Sequence, residues 1–237
     1  MCLTVKTGIR SKQGYGQSID TGIFGVRADE LDEGDAGRGL LRGNRELVQS
    51  AMEEAWPSGL TVDEFLVWAE GRPGRYELDR GRVFAMSPER VGHMRAKTAV
   101  RNALAAAIGR AGLSCEALPD GATVRIDASS AYEPDALVYC GPQLPANAIE
   151  VPDPVIVVEV LSPSTGRYDR QDKLAGYFTL PSLHHYLIVN VDRRILIHHA
   201  RSGQDFTTRI LAAGDLRLEP PGIDIRVEDL FGMPPVE

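Results

Sequence analysis

Cysteine is scarce in this chain: three residues in 237, at positions 2, 115 and 140. Their number is odd, they lie far apart, and no pair has the short spacing of zinc-binding thiolates. The expectation is a chain from a reducing compartment without structural zinc. Long apolar runs are also missing. No stretch reaches the ~18 residues of a membrane span, and the N-terminus lacks a charged head followed by an apolar segment and a cleavage site. A soluble, unexported, cytoplasmic protein is expected. Excess positive charge is absent too, since the formal net charge is −7. That excludes coating nucleic acid by bulk electrostatics, which takes a strongly basic domain. No internal repeat is visible.

Charge is nevertheless segregated. Between Arg90 and Arg110 stand Arg90, Arg95, Lys97, Arg101 and Arg110 with no acidic residue among them. At about 100° per residue, Arg90, Lys97 and Arg101 point in nearly one direction. Such a strip is most often a solvated flank, and it also suits contact with a DNA backbone. A polyanion therefore has one side from which to approach.

Residues 1–50 are rich in Gly and mix acid and base without apolar period, as in "ADELDEGDAGRGLLRGNRE". They are expected to form a flexible N-terminal extension, because they bury too little to offset ordering entropy. Residues 51–237 are assigned to one packed domain. In "LTVDEFLVWAE", Thr61 and Glu64 have capping-box spacing, so a helix starts there. "RYELDRGRVFAM" alternates on both sides of Arg80-Gly81 and reads as a hairpin. A helix is expected from about 89 to 111, followed by short strands in "LSCEAL", "ATVRID", "DALVY" and "PVIVVEVLS". A second helix over about 168–178 and strands in "HHYLIVNV" and "RILIHHA" follow. The order predicts an α+β fold with a mixed sheet whose central strands are shielded by helices.

Within "PVIVVEVLS" the lone acid is Glu159. A carboxylate in a buried strand needs a cationic or donor-rich partner. If "DALVY" and "PVIVVEVLS" are antiparallel neighbours, Asp135 at the start of one comes beside Glu159 near the end of the other. Two carboxylates at one edge repel unless a cation joins them, and a hard divalent ion, magnesium first, fits oxygen ligands. In the following helix Asp169, Lys173 and Tyr177 recur at four-residue steps, and Lys173 can reach back to the strand end. Two carboxylates and a lysine suffice for metal-dependent phosphodiester hydrolysis.

Each of these residues also has a plain structural reading. Glu159 would form a buried ion pair with Arg125 or Arg82, and Asp135 would be a turn residue. Lys173 would be a solvated helix lysine, Tyr177 a core residue with a polar tip, and His93 a hydrogen-bonded core histidine. Ser162, Ser164 and Thr165 suit turn formation and capping better than nucleophilic catalysis. Neighbouring histidines at 184–185 and 198–199 point to opposite strand faces, so neither pair chelates one ion.

The stretches "LTVDEFLVWAEG", "RYELDRGRVFAMSP", "EPDALVYCG", "PDPVIVVEVLSPSTGRYDRQDKLAGY" and "HYLIVN" resemble the Uma-type restriction endonucleases, a branch of the PD-(D/E)XK nuclease superfamily. The resemblance spans about 60–231 and implies a restriction-endonuclease-like fold and a DNA endonuclease using Mg2+, with Mn2+ as a substitute. It places the motif aspartate at Asp135 and the second acid at Glu159, and gives the metal the backbone carbonyl of Val160. The superfamily lysine two residues after the second acid is replaced by Leu161. In this branch its role falls to Lys173, and Glu77 lies at a family-typical position. Double-strand cleavage implies two sites, hence a homodimer. The rival readings are a non-catalytic nucleic-acid-binding or regulatory module on the same scaffold, and a hydrolase of some other phosphate or ester.

Overall fold

The computed structural model describes residues 56–161 and 167–232, with backbone alone at 167–172. The expected extension over 1–50, the residues Ser162, Ser164 and Thr165, and the Asp169 side chain lie outside this description. Helix α1 (Val62–Ala69) begins at a full capping box: the Glu64 N–H donates to Thr61 Oγ, and the Thr61 N–H donates to Glu64 Oε2 at 2.9 Å. Strands β1 (Tyr76–Asp79) and β2 (Arg82–Ala85) form the expected hairpin. Both turn residues, Arg80 and Gly81, have positive φ, 49° and 75°, the hairpin geometry whose twist matches the strands. A Cβ on Gly81 would also meet the Gly59 backbone at 3.0 Å.

Helix α2 (Val91–Ala111) follows, then β3 (Glu116–Pro119), β4 (Val124–Arg125), β5 (Ala131–Tyr132) and β6 (Ala136–Tyr139). Next come β7 (Ile156–Leu161), α3 (Arg167–Thr179), β8 (His185–Asn190), β9 (Ile195–Ser202) and β10 (Asp205–Leu211). The hairpin β11 (Asp215–Leu218) and β12 (Ile223–Arg226) and a 3-10 turn at Val227–Phe231 complete the described chain. β2, β1, β5 and β4 make a small sheet, and β10, β9, β8, β7, β6 and β3 the main one. Every pairing of the main sheet is antiparallel except β7 with β8, whose parallel crossover is α3. The fold is α+β, a mixed sheet flanked by helices.

Alternation along β7 sorts the core into two layers. Ile156, Val158 and Val160 pack with Val100, Leu104 and Ile108 of α2 and with β11 and β12. Val157 packs with Tyr177 and Phe178 of α3 on the opposite face. Glu159 has the parity of Val157, so its side chain goes to the α3 face.

The cysteine expectation is corrected. Cys115 and Cys140 form a disulfide; they follow directly from the β3–β6 register, which sets Glu116 opposite Tyr139. Twenty-five residues apart in sequence, they meet only because those two strands are neighbours. Among the described residues no helix is long and apolar enough to cross a membrane.

Candidate active site

The site forms where β6 starts and β7 ends. Ala136 lies opposite Val158, which brings Asp135 to the last residues of β7. Asp135 sits at a bend after Pro134. Its N–H donates to the Val158 carbonyl at 3.0 Å, and its Oδ2 accepts the Val160 N–H at 2.6 Å. The bend releases the side chain from strand alternation, so the carboxylate meets α2 while Glu159 meets α3.

On the α2 side, Lys97 Nζ lies 2.7 Å from Asp135 Oδ1 and also bonds Asp120 at 2.9 Å and Glu89. Burial opposes charge on Lys97, yet Asp135, Glu89 and Asp120 together hold its pKa above the usual lysine value. His93, one turn earlier, places Nε2 2.7 Å from the Val160 carbonyl and 3.9 Å from Asp135 Oδ2. Arg75 joins from the segment before β1, pairing with Glu133 and, at 2.7 Å, with Asp120.

On the α3 side, Glu159 Oε1 faces Lys173 Nζ at 3.4 Å and accepts the Tyr177 hydroxyl at 3.1 Å. Lys173 also donates to Glu77 Oε1 at 2.8 Å, and the same oxygen accepts the Glu133 N–H. The Lys173 ammonium stands 5.6 Å from the centre of the Tyr132 ring, a cation–π distance. Burial pushes the Glu159 carboxyl up to about 8; Lys173 opposes the shift, while Asp135 and Glu77 add to it.

Among the described residues, Glu77, Glu89, Asp120, Glu133, Asp135 and Glu159 thus share only Arg75, Lys97 and Lys173 as permanent cations. Twice as many carboxylates as cations, two of them buried and four half-buried, is an arrangement that a further positive charge relieves. No three His, Cys, Asp or Glu side chains among the described residues form a ready cage. Asp135, Glu159 and the Val160 carbonyl are oxygen donors, the donor type that magnesium takes while keeping much of its water.

Residues 62–228 match the model of Uma2, described as "Putative restriction endonuclease". The chain belongs to the Uma2 family. The uncharacterized protein slr1290 of Synechocystis sp. is 30% identical over 179 residues, covering 73% of this chain and 91% of that protein. The fold is similar to a crystal structure titled a "putative nuclease belonging to DUF820" from Anabaena variabilis. The TM-score is 0.56 at 14% identity, over 73% of this chain and 97% of that one.

In this Uma2 chain the structure brings Asp135, Glu159, Lys173 and Glu77 to one edge of the sheet, with the Val160 peptide between the two acids. Glu159 pairs with Lys173, while Arg125 is engaged by Glu150 and Asp63 instead. The basic strip of α2 does not form. Lys97 is only 5% exposed because Asp135, Glu89 and Asp120 draw it inward, and Arg101 donates to the Ala117 carbonyl. Arg90 alone of the three is solvent-exposed. Sequence reasoning passed over Glu89 and read Lys97 as a DNA-contact residue instead of a partner of Asp135, although His93 and Lys97 stand four residues apart on one face of α2. The histidine neighbours do point apart, as alternation requires. What alternation within one strand misses is the cross-strand contact of His185 Nδ1 with His198 Nε2 at 3.0 Å.

Proposed function

We propose that this chain is a Mg2+-dependent endodeoxyribonuclease, with Mn2+ as a substitute, hydrolysing phosphodiester bonds of DNA as a homodimer. The observation that carries the reading is the placement of Asp135 beside the end of β7, with Lys173 of α3 facing Glu159. Membership of a family described as restriction endonucleases supports it. Asp135, Glu159 and the Val160 carbonyl would hold the cation, which when bound neutralises the phosphate and lowers the pKa of water. Lys173, fixed between Glu77 and Glu159, donates a hydrogen bond that orients the attacking water along the line of the scissile bond. Water's oxygen bonds to phosphorus and releases a proton to neighbouring water as the bond to the leaving oxygen breaks, and the leaving oxygen takes up a proton from water in return. The Lys173 ammonium offsets charge that develops in between. Tyr177 and Glu77 position the two groups that act, and the apolar walls of α3 and β7 keep bulk water from them.

Supercoiled plasmid incubated with Mg2+ or Mn2+ tests this. Nicking is expected in wild type, absent with chelator, and lost by 10²-fold or more, roughly, in folded Asp135→Ala, Glu159→Ala and Lys173→Ala variants. Equal nicking by wild type and variants would remove the reading. DNA binding without cleavage would return the chain to a non-catalytic module. Light scattering after gel filtration checks the dimer; a monomer across micromolar concentrations would defeat it.

A further inference from the structure

The face of the β1–β2 hairpin that carries Glu77 carries two further groups. Residues directly opposite in an antiparallel pair share a face, and Glu77 stands opposite Phe84, Asp79 opposite Arg82. Glu77 accepts from Lys173 at 2.8 Å and Asp79 from the Tyr132 hydroxyl at 3.0 Å, so this face looks toward the site. Leu78 and Val83 take the other face and are buried with Val62 and Phe65 of α1.

Phe84 and Arg82 are exposed. Phe84 keeps 47% of its surface open, and the Arg82 guanidinium stands 5.9 Å from the centre of its ring. Arg75 and Arg125 are held by carboxylates, whereas Arg82 makes no ion pair among the described residues. A single exposed apolar ring is ordinary on a protein surface. What singles this one out is its register, because strand pairing puts its Cβ ~5 Å from that of Glu77, which holds Lys173 in place. β2 is the outer strand of the small sheet, so a chain lying along that edge meets the ring and the guanidinium together.

An aromatic ring beside an arginine is what surfaces for single-stranded nucleic acid use, the ring stacking on a base and the cation meeting the backbone. A base inside a duplex has both faces covered by its neighbours, so only one taken out of the stack can lie on a protein ring. We propose that Phe84 and Arg82 bind one unpaired nucleotide of DNA, Phe84 stacking on its base and Arg82 contacting its phosphate, next to the phosphate that the site cleaves. The substrate class narrows to single-stranded or locally opened DNA. The inference rests on the proposed nuclease reading and says where that substrate lies.

Fluorescence anisotropy of a labelled single-stranded oligonucleotide, in chelator so that no strand is cut, measures the contact. Phe84→Leu is expected to weaken binding roughly tenfold, while Phe84→Trp, which keeps a ring, stays within about threefold of wild type. Arg82→Gln should lower the slope of log affinity against log salt by about 0.7, the share of one phosphate. A blunt duplex of the same sequence should show no loss with Phe84→Leu. Each variant changes an exposed side chain, and thermal melts check that each is folded. Wild type that does not bind the single strand overturns the inference, as does Phe84→Leu with wild-type affinity or with the same loss on single strand and duplex. Plasmid nicking separates this from the nuclease reading. Nicking by wild type, with Phe84→Leu binding the single strand as well as wild type does, sinks the stacking role alone; ring-dependent binding without any nicking keeps the nucleotide contact and sinks the nuclease.

Discussion

The Tyr177 hydroxyl donates to Glu159 Oε1 at 3.1 Å, sharing that oxygen with the Lys173 ammonium. Tyr177 lies one helical turn beyond Lys173, so α3 presents both donors to the same acid. Tyr177→Phe keeps the ring packed against Tyr132 and Tyr186 and removes one donor from a buried carboxylate. The expected cost is about 1–3 kcal/mol, read by urea titration, with a rise in the Glu159 pKa. An unchanged midpoint would show that the bond does not contribute.

Lys97 separates a buried network from a DNA-gripping strip. Lys97→Met leaves Asp135, Glu89 and Asp120 without their shared cation and is expected to destabilise the fold by about 3–5 kcal/mol. Arg90→Ala, at the exposed residue just before that helix, whose side chain makes no capping hydrogen bond, should stay within about 0.5 kcal/mol. Parallel thermal melts check both, and similar small effects would place Lys97 on the surface after all.

Gly176 lets α3 approach the small sheet. A Cβ there would lie 2.9 Å from the Tyr132 ring, the ring beneath the Lys173 ammonium. Alanine gains about 1 kcal/mol of helix propensity, but overpacking costs about 1–3 kcal/mol. Gly176→Ala is therefore expected to lower the melting temperature, and Gly176→Ala with Tyr132→Leu to recover part of it. A stabilised single variant would contradict the close approach.

Burial pushes both His185 and His198 down to about 4; for His198 the neighbouring His185 and Arg209 add to the effect. A folded pKa below the free value of ~6.5 means that the neutral rings stabilise the fold. That contribution is complete above pH 6.5 and is lost as pH falls toward 4, at most about 1.4 kcal/mol per pH unit for each ring. Urea midpoints between pH 7 and 4.5 should fall in wild type and fall less in a His185→Leu/His198→Leu variant. Parallel slopes would mean that the pair does not drive the acid sensitivity.

Local chemistry determined much of this molecule in advance. Thr61 and Glu64 announce a capping box, Arg80-Gly81 a hairpin turn, and the β-branched run before Glu159 a covered strand, because each depends on residues near in sequence. The two acids were also legible, since an acid in an apolar strand needs an explanation. Only the folded chain decided what meets them. The bend at Asp135 turns its carboxylate toward α2, and no alternation pattern encodes such a bend. Helical periodicity gives Lys97 a direction but not its neighbours, so a cation that reads as solvated is buried among three carboxylates. The same holds for His93 beside Val160 and for Cys115 with Cys140. Sequence fixes which groups a segment carries and which way they point along it, while distances between segments arise from strand order and helix packing, which bring together residues that nothing local connects.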